Sequence, residues 1–437
     1  MRTITERADN PRSRVARLTS VLLILLCTTT LFGQDENAGD TVEERLRRLE
    51  ERLNEALESS DTSVSERQDE LEEYLEELEE ELENTREKAE TGGLGNTKFA
   101  LTGDAYAQFR TANRGGSSFF AAFEPHFFWR INERISFGSG VEFELGLEDE
   151  DQTETEIVIA WSLLSYQLSN SVTLGVGSFL SPLGYYQENI HSQFVNRLPS
   201  KPLAVDDDDR GLVPLNDIGV QIRGPIILGK SRLTYVAWAG NGSELDDGSE
   251  HADDAGRLRS NNFRDSNRGK SVGGRVGFRP IYSLEFGYSA LWMRVGKDRS
   301  QFEDVDAFLQ AVDVSFVDEV PSLKGRLSFH GEWIWSDVDD VDFGSGEFDN
   351  RRNGGYIQLS YRPSLVSWEH LARTEATVRW DRLDEPSGTS AFDEDRWTFG
   401  LGYWVHPFSA FKIAYENSDR SGAPDVEAFL FEYVIGF

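Results

Sequence analysis

Counted back from Phe437, every second residue of the last stretch is large and apolar: Phe437, Ile435, Tyr433, Phe431 and Phe429. The positions between, Gly436, Val434, Glu432, Leu430 and Ala428, are smaller or more mixed. A period of two belongs to a strand with two unlike faces. One such strand could end a soluble sandwich as well as a barrel, so the rest of the chain has to be tested for the same pattern.

From Lys98 onward the pattern repeats. Ile135, Phe137, Val141, Phe143 and Leu145 alternate with Ser136, Gly138, Gly140, Glu142 and Glu144. Leu327, Phe329, Trp333 and Trp335 alternate with Arg326, Ser328, His330 and Glu332, and Leu323 and Lys324 extend the series. The alternation predicts strands at 98–110, 118–131, 134–147, 154–168, 171–180, 216–224, 231–240, 270–279, 282–295, 305–317, 322–335, 353–362, 371–382, 394–405, 409–417 and 427–437. That makes about sixteen, and an even number is what a bacterial barrel requires. Every second connector is tight or carries proline, as at Asn132-Glu133, Ser169-Asn170, Val320-Pro321 and Pro407-Phe408. The alternate connectors, 241–269, 336–352 and 383–393, are longer and hydrophilic. Short turns on one side and long loops on the other distinguish the two faces of a transmembrane barrel. The fold class expected is therefore an all-β membrane protein, an antiparallel barrel of about sixteen strands.

Composition agrees with that class. Hydrophobic residues are only 38% of 437, and no apolar run of 18 follows the N-terminus, so no transmembrane helix is expected there. A barrel strand needs one apolar face and escapes that test. A formal net charge of −33 argues against a nucleic-acid partner. The single cysteine, Cys27, leaves no disulfide or cysteine metal site. No cofactor is expected.

The first 97 residues read differently. Arg2, Arg12, Arg14 and Arg17 precede the apolar run Leu18–Cys27, which reads as a signal peptide over 1–33. Val42, Leu46, Leu49, Leu53 and Ala56 then follow heptad spacing, and Val64, Leu71, Leu75, Leu78 and Leu82 resume it after an interruption at 59–63. Residues 34–91 are expected to form an acidic, α-helical coiled-coil stalk in the periplasm, joined by a Gly-rich linker at 92–97 to a barrel over 98–437.

One connector differs in content from the others. Residues 181–215 run through Ser181-Pro-Leu-Gly-Tyr-Tyr, then Asn196-Arg-Leu-Pro-Ser-Lys-Pro-Leu203, then Asp206-Asp-Asp-Asp-Arg210, with more aromatic residues than a solvated loop needs. The closing strand resembles that of bacterial outer-membrane barrels, whose final aromatic residue belongs to the signal read by the barrel-assembly machinery. Ser178-Phe-Leu-Ser-Pro-Leu-Gly184 followed by Asp217-Ile-Gly-Val-Gln-Ile-Arg-Gly224 is similar to the phosphate-selective porin O and P family, over about 98–437. The coiled coil is an addition to that pattern. The resemblance implies a third external loop folded into the pore, a homotrimer among outer-membrane lipids and lipopolysaccharide, and anions drawn by inward Arg and Lys. The basic ladder of a phosphate-selective pore is not evident in this sequence.

If the alternation holds, the inward set includes Arg223, Arg275, Lys324, Arg326, Arg373 and Arg379, together with Asp104, Glu142, Glu144, Glu285, Glu332, Glu416 and Glu432. Charges on facing walls of a narrow pore sort ions by sign. Singly, each of these residues is better read as a cross-strand partner; as a set they make a polar lumen. Asp206, Asp207, Asp208, Asp209 and Arg210 either line the constriction or sit on an exposed bend. Weak selectivity tilted toward cations by those aspartates is expected. Six scattered histidines, no HExxH and no G-x-S-x-G elbow leave no enzymatic reading. The acidic stretch Asp337–Asp342 departs from a calcium loop at Val341 and Asp342. The function expected is passive diffusion of small hydrophilic solutes across the bacterial outer membrane. The alternatives are a structural barrel whose stalk tethers the membrane to the cell wall, and an anion (phosphate)-selective porin.

Overall fold

The computed structural model describes residues 98–149, 152–206, 210–249, 254–260, 263, 269–343, 348–386, 389 and 391–437. The expected signal peptide, coiled coil and linker lie outside the described residues, as do Asp207, Asp208 and Asp209.

Sixteen antiparallel strands close into one barrel, the number the alternation predicts. In chain order they are β1 Lys98–Ala112, β2 Ser117–Arg130, β3 Ile135–Asp149, β4 Gln152–Ser169, β5 Val172–Leu180, β6 Asn216–Leu228, β7 Ser231–Gly240 and β8 Ser271–Ile281. They continue with β9 Leu284–Arg294, β10 Asp306–Val320, β11 Gly325–Val338, β12 Arg351–Arg362, β13 Thr374–Asp384, β14 Glu394–His406, β15 Ser409–Arg420 and β16 Val426–Gly436. Each strand pairs with its sequence neighbours. The ring shuts where β1 meets β16, in register from Asp104 opposite Gly436 to Ala112 opposite Ala428. Beyond that register, Phe437 and Gly103 exchange two backbone hydrogen bonds at 2.9 and 3.0 Å.

The terminal strand shows why a barrel and not a sandwich results. Phe429, Phe431, Ile435 and Phe437 are exposed, while Ala428, Leu430, Glu432, Val434 and Gly436 are buried. The large apolar face therefore points away from the protein, and the smaller face points into it. The same holds for Phe399 and Leu401 on β14 and for Ile357 and Leu359 on β12. An apolar belt on this scale needs hydrocarbon against it rather than water. The fold is a transmembrane β-barrel, and no helix among the described residues is long and apolar enough to cross a membrane.

Three local departures from strict alternation matter for the interior. On β4 the register shifts between Gly140 and Val141, leaving Ala160 without a partner on β3. That bulge reverses which face the following residues occupy. Trp161 consequently turns inward over Gly138 and Gly140, where a Cβ would overlap its ring. On β11 the strand begins at Gly325, so Lys324 is not a wall residue. It caps the short 3-10 turn Pro321–Leu323 in a left-handed conformation (φ 52°) and is exposed. Before β13, a helical turn α2, Glu369–Ala372, lengthens the connector and takes Arg373 out of the strand as its C-cap. A helix of the same length, α1 (Tyr186–Asn189), lies in the 181–215 segment.

Candidate pore and its constriction

The segment 181–215 crosses the barrel interior and is bound to wall strands on several sides. Near its start, the Gly184 amide donates to Ser289 Oγ on β9 (2.8 Å) and the Tyr186 amide to Glu332 Oε2 on β11 (3.1 Å). In its middle, Asp104 Oδ2 on β1 accepts from Ser192 Oγ (2.5 Å) and the Phe194 amide (2.7 Å). Lys412 on β15 donates to the Gln193 carbonyl (2.6 Å) and pairs with Glu432 on β16 (2.8 Å). Further on, Arg379 on β13 reaches Ser200 O (2.8 Å), Ser200 Oγ (2.9 Å) and Lys201 O (3.0 Å), and its Nε donates to Asp381 (2.9 Å). Arg396 on β14 adds a bond to Lys201 O (2.6 Å). Arginine suits this role because its planar fork can meet several acceptors at once.

Apolar packing holds the loop against one side of the barrel. Leu183, Tyr186, Ile190, Leu203, Val205 and Leu212 of the loop share a buried cluster with Trp238, Leu291, Met293, Ile334, Tyr356 and Leu383 of the wall. Part of the inner side of β7–β13 is thus apolar, interspersed with buried polar and charged residues such as Ser336, Arg352 and Asp381. The loop shields those apolar positions from water, so they carry core side chains.

The expected site residues are distributed accordingly. Arg275 lies in the wall, bound to Asp313 (2.7 Å) and Glu285 (3.2 Å). Arg223 forms a two-pronged pair with Glu188 on α1 (2.7 and 3.1 Å). Arg210, at the far end of the loop, pairs with Glu394, donates to Phe392 O (3.0 Å) and stacks on the Phe392 ring at 4.2 Å. Asp206 follows the 3-10 turn Leu203–Val205, and its carbonyl accepts from the Gly211 amide (2.8 Å). Arg326 and Arg373 are at the short-turn end of the barrel, and Lys324 sits in a turn there. These residues do not form one constriction. Arg223 and Arg379 fasten the loop, Arg210 fastens its far end, and Arg275 braces the wall.

The open space lies on the opposite side. A cavity of about 630 Å³ lies between the loop and the inner face of β1–β4. Its wall side presents Tyr106, Glu124, Glu142, Glu144 and Glu156, and its loop side presents His191, Gln193 and Lys201. At the long-loop end, Asp246, Asp254, Arg257 and Arg259 from the 241–270 connector complete the lining. Arg257 is held by Glu385 (2.8 Å), and Arg259 pairs with Asp246. Among the described lining residues, six carboxylates therefore face three cationic side chains.

Glu142 and Glu144 belong to the inward set read from the sequence, whereas Glu124 and Glu156 do not. Glu124 was legible in principle, because Ala122, Glu124 and His126 alternate with Phe123, Pro125 and Phe127. Glu156 was not, because the bulge at Ala160 breaks the parity that links it to the rest of β4.

No protein-family model matches the sequence, and no curated protein matches it. Solved structures do match its shape. The Salmonella typhi OmpF complex with daunomycin aligns with TM-score 0.51 at 13% identity, covering 78% of this chain and 98% of that one. An anion-selective porin from Comamonas acidovorans aligns at 0.50 and 11% identity, covering 78% and 100%. The outer membrane channel DcaP of Acinetobacter baumannii gives 0.50 and 11%, covering 78% and 97%. The fold is that of the outer-membrane porins. Identities this low carry the porin fold alone, so a role for this porin-like barrel has to come from its own residues.

Proposed function

We propose that the chain is a bacterial outer-membrane porin that lets small hydrophilic solutes diffuse through the passage beside its inward loop. In this reading the barrel sits among outer-membrane lipids and lipopolysaccharide, is inserted by the barrel-assembly machinery, forms a homotrimer and catalyses no reaction. The observation that carries the reading is the asymmetric interior. One side is filled by loop and core, while the other stays open and is lined by carboxylates.

The same asymmetry supports a preference for cations. Glu124, Glu142, Glu144 and Glu156 border the opening, well inside a Debye length (about 8 Å at physiological salt) of any ion that passes. Three of the inward arginines expected to favour anions are engaged: Arg275 with two carboxylates, Arg223 with Glu188, Arg379 with the loop backbone and Asp381. Purified protein in a planar bilayer is expected to conduct, with a zero-current potential in a KCl gradient on the cation side. Glu142→Gln with Glu144→Gln should move that potential toward the anion side with little loss of conductance. An unmoved potential would place the ion path elsewhere, and absence of any conductance would remove the porin reading.

A further inference from the structure

At the short-turn end of the lumen, four arginines surround a recess of about 370 Å³ that is distinct from the acidic cavity. Arg197 comes from the loop, Arg326 from β11, Arg362 from β12 and Arg373 from the C-cap of α2. The floor is Trp404 on β14. The guanidinium carbons of Arg197 and Arg362 lie 5.3 and 5.6 Å from its ring centroid. Phe194 and Pro407 continue the apolar surface.

The charges do not balance locally. Glu375 is the single carboxylate among the residues lining the recess, and it is already engaged. It lies 3.5 Å from Arg197 and accepts from Trp404 Nε1 at 3.0 Å. At the edge, Glu369 pairs with Arg373 (2.6 Å). Glu319 stands opposite Arg326 on β10 but makes no ion pair with it, and its Oε1 accepts from Ser364 Oγ at 3.3 Å. Arg326 and Arg362 face each other in register across β11 and β12, and neither has an ion-pair partner among the described residues. Arg362 donates its Nε to Ala372 O (2.8 Å), which leaves its two terminal nitrogens. Like charges placed directly opposite on adjacent strands are destabilising. Two facing guanidiniums over an aromatic floor are an arrangement that an anion would relieve.

We propose that this recess binds a small organic polycarboxylate, with carboxylates bridging Arg326 and Arg362 and the carbon skeleton lying on Trp404. Guanidinium forks match carboxylates in two-pronged geometry. The apolar floor and the volume exceed what one inorganic oxyanion occupies, which favours a ligand with a carbon skeleton. The site would hold an organic anion at the end of the lumen opposite the long loops, apart from the acidic cavity.

The test is isothermal titration of the purified full-length protein in detergent micelles, with citrate and, separately, inorganic phosphate as probes. Citrate should bind saturably, and phosphate at least tenfold more weakly. Arg326→Gln with Arg362→Gln should weaken citrate tenfold or more, while Arg326→Lys, which keeps the charge, should lose only part of that. Trp404→Leu should weaken citrate and leave phosphate unchanged. Each variant is compared with the wild type for its heat-dependent gel shift, so that loss of the barrel is recognised. Citrate binding that survives the double substitution overturns the assignment. Phosphate binding as tightly as citrate, with no effect of Trp404→Leu, reduces the recess to a patch for any oxyanion and overturns the organic ligand. Because titration needs no current, absent citrate binding in a conducting protein would sink this inference alone. Citrate binding in a protein that never conducts would sink the porin reading alone.

Discussion

Gly184 shows how one position can set the path of a long loop. Its φ of +76° lies in the left-handed region, and a Cβ there would overlap Glu332 Oε1. An L-residue in that conformation costs roughly 1–2 kcal/mol before any clash is counted. The same Glu332 accepts from the Tyr186 amide, so Gly184→Ala would push away the carboxylate that receives the loop. The expected outcome is a noisier and larger single-channel current, together with a lower unfolding temperature in detergent. Wild-type current and stability in this variant would show that the loop is held by its later contacts alone. Arg379 is the corresponding residue at the other end. It is fully buried, and its Nε is bound to Asp381 while its terminal nitrogens hold Ser200 and Lys201. Breaking a buried pair by deleting one partner costs about 3–5 kcal/mol. Arg379→Ala should therefore free the loop and raise conductance, and Arg379→Lys, which cannot reach three acceptors, should recover only part of the wild-type behaviour. Thermal unfolding and bilayer current measure the two effects separately.

Among the elements, the strands were far easier to read than the connectors. Strand faces differ because one meets hydrocarbon and the other meets the interior, so a period of two is written into every strand and survives errors in its ends. Connector residues obey no such period. Lys324 continues the alternation of β11 in the sequence, which predicts a wall residue, yet the backbone turns through a left-handed conformation at that position. Arg373 also continues the alternation of its strand in the sequence, yet Glu369–Ala372 forms a helical turn, and the first regular strand residue is Thr374. On β4, a single unpaired residue at Ala160 moved Trp161 to the inner face. In that strand the sequence still alternates, but its phase changes midway, and only the pairing with β3 reveals where. The inward apolar positions Trp238, Leu291, Met293 and Ile334 are a further case. They look like breaks in a polar lumen until the 181–215 loop is laid over them.

At the scale of the whole molecule, Phe437 extends the seam that closes the ring. Phe437 joins β16 to β1 through two backbone bonds with Gly103 and stacks on Phe123 of β2 at 5.6 Å between ring centroids. Removing Phe437 deletes both bonds and an aromatic contact of about 0.5–1.5 kcal/mol beyond its buried area. The shortened protein, refolded in detergent, should lose its heat-resistant gel mobility at a lower temperature than the wild type. An unchanged transition would mean that the register from Asp104 to Ala112 closes the ring without help. The sequence by itself determined the class of fold, the approximate number of strands and the two unlike faces, because each of these follows from local alternation and turn chemistry. The exact count of sixteen comes from the closed ring. The tertiary structure alone decided what each inward charge meets. Arg223, Arg275, Arg379 and Glu142 are alike in sequence as charged residues on the inner face. Closing the ring brings carboxylates and loop atoms from distant strands against the three arginines, and it places Glu142 in the lining of the cavity beside the loop. Pairing across a lumen is a property of the closed ring, and no strand contains it.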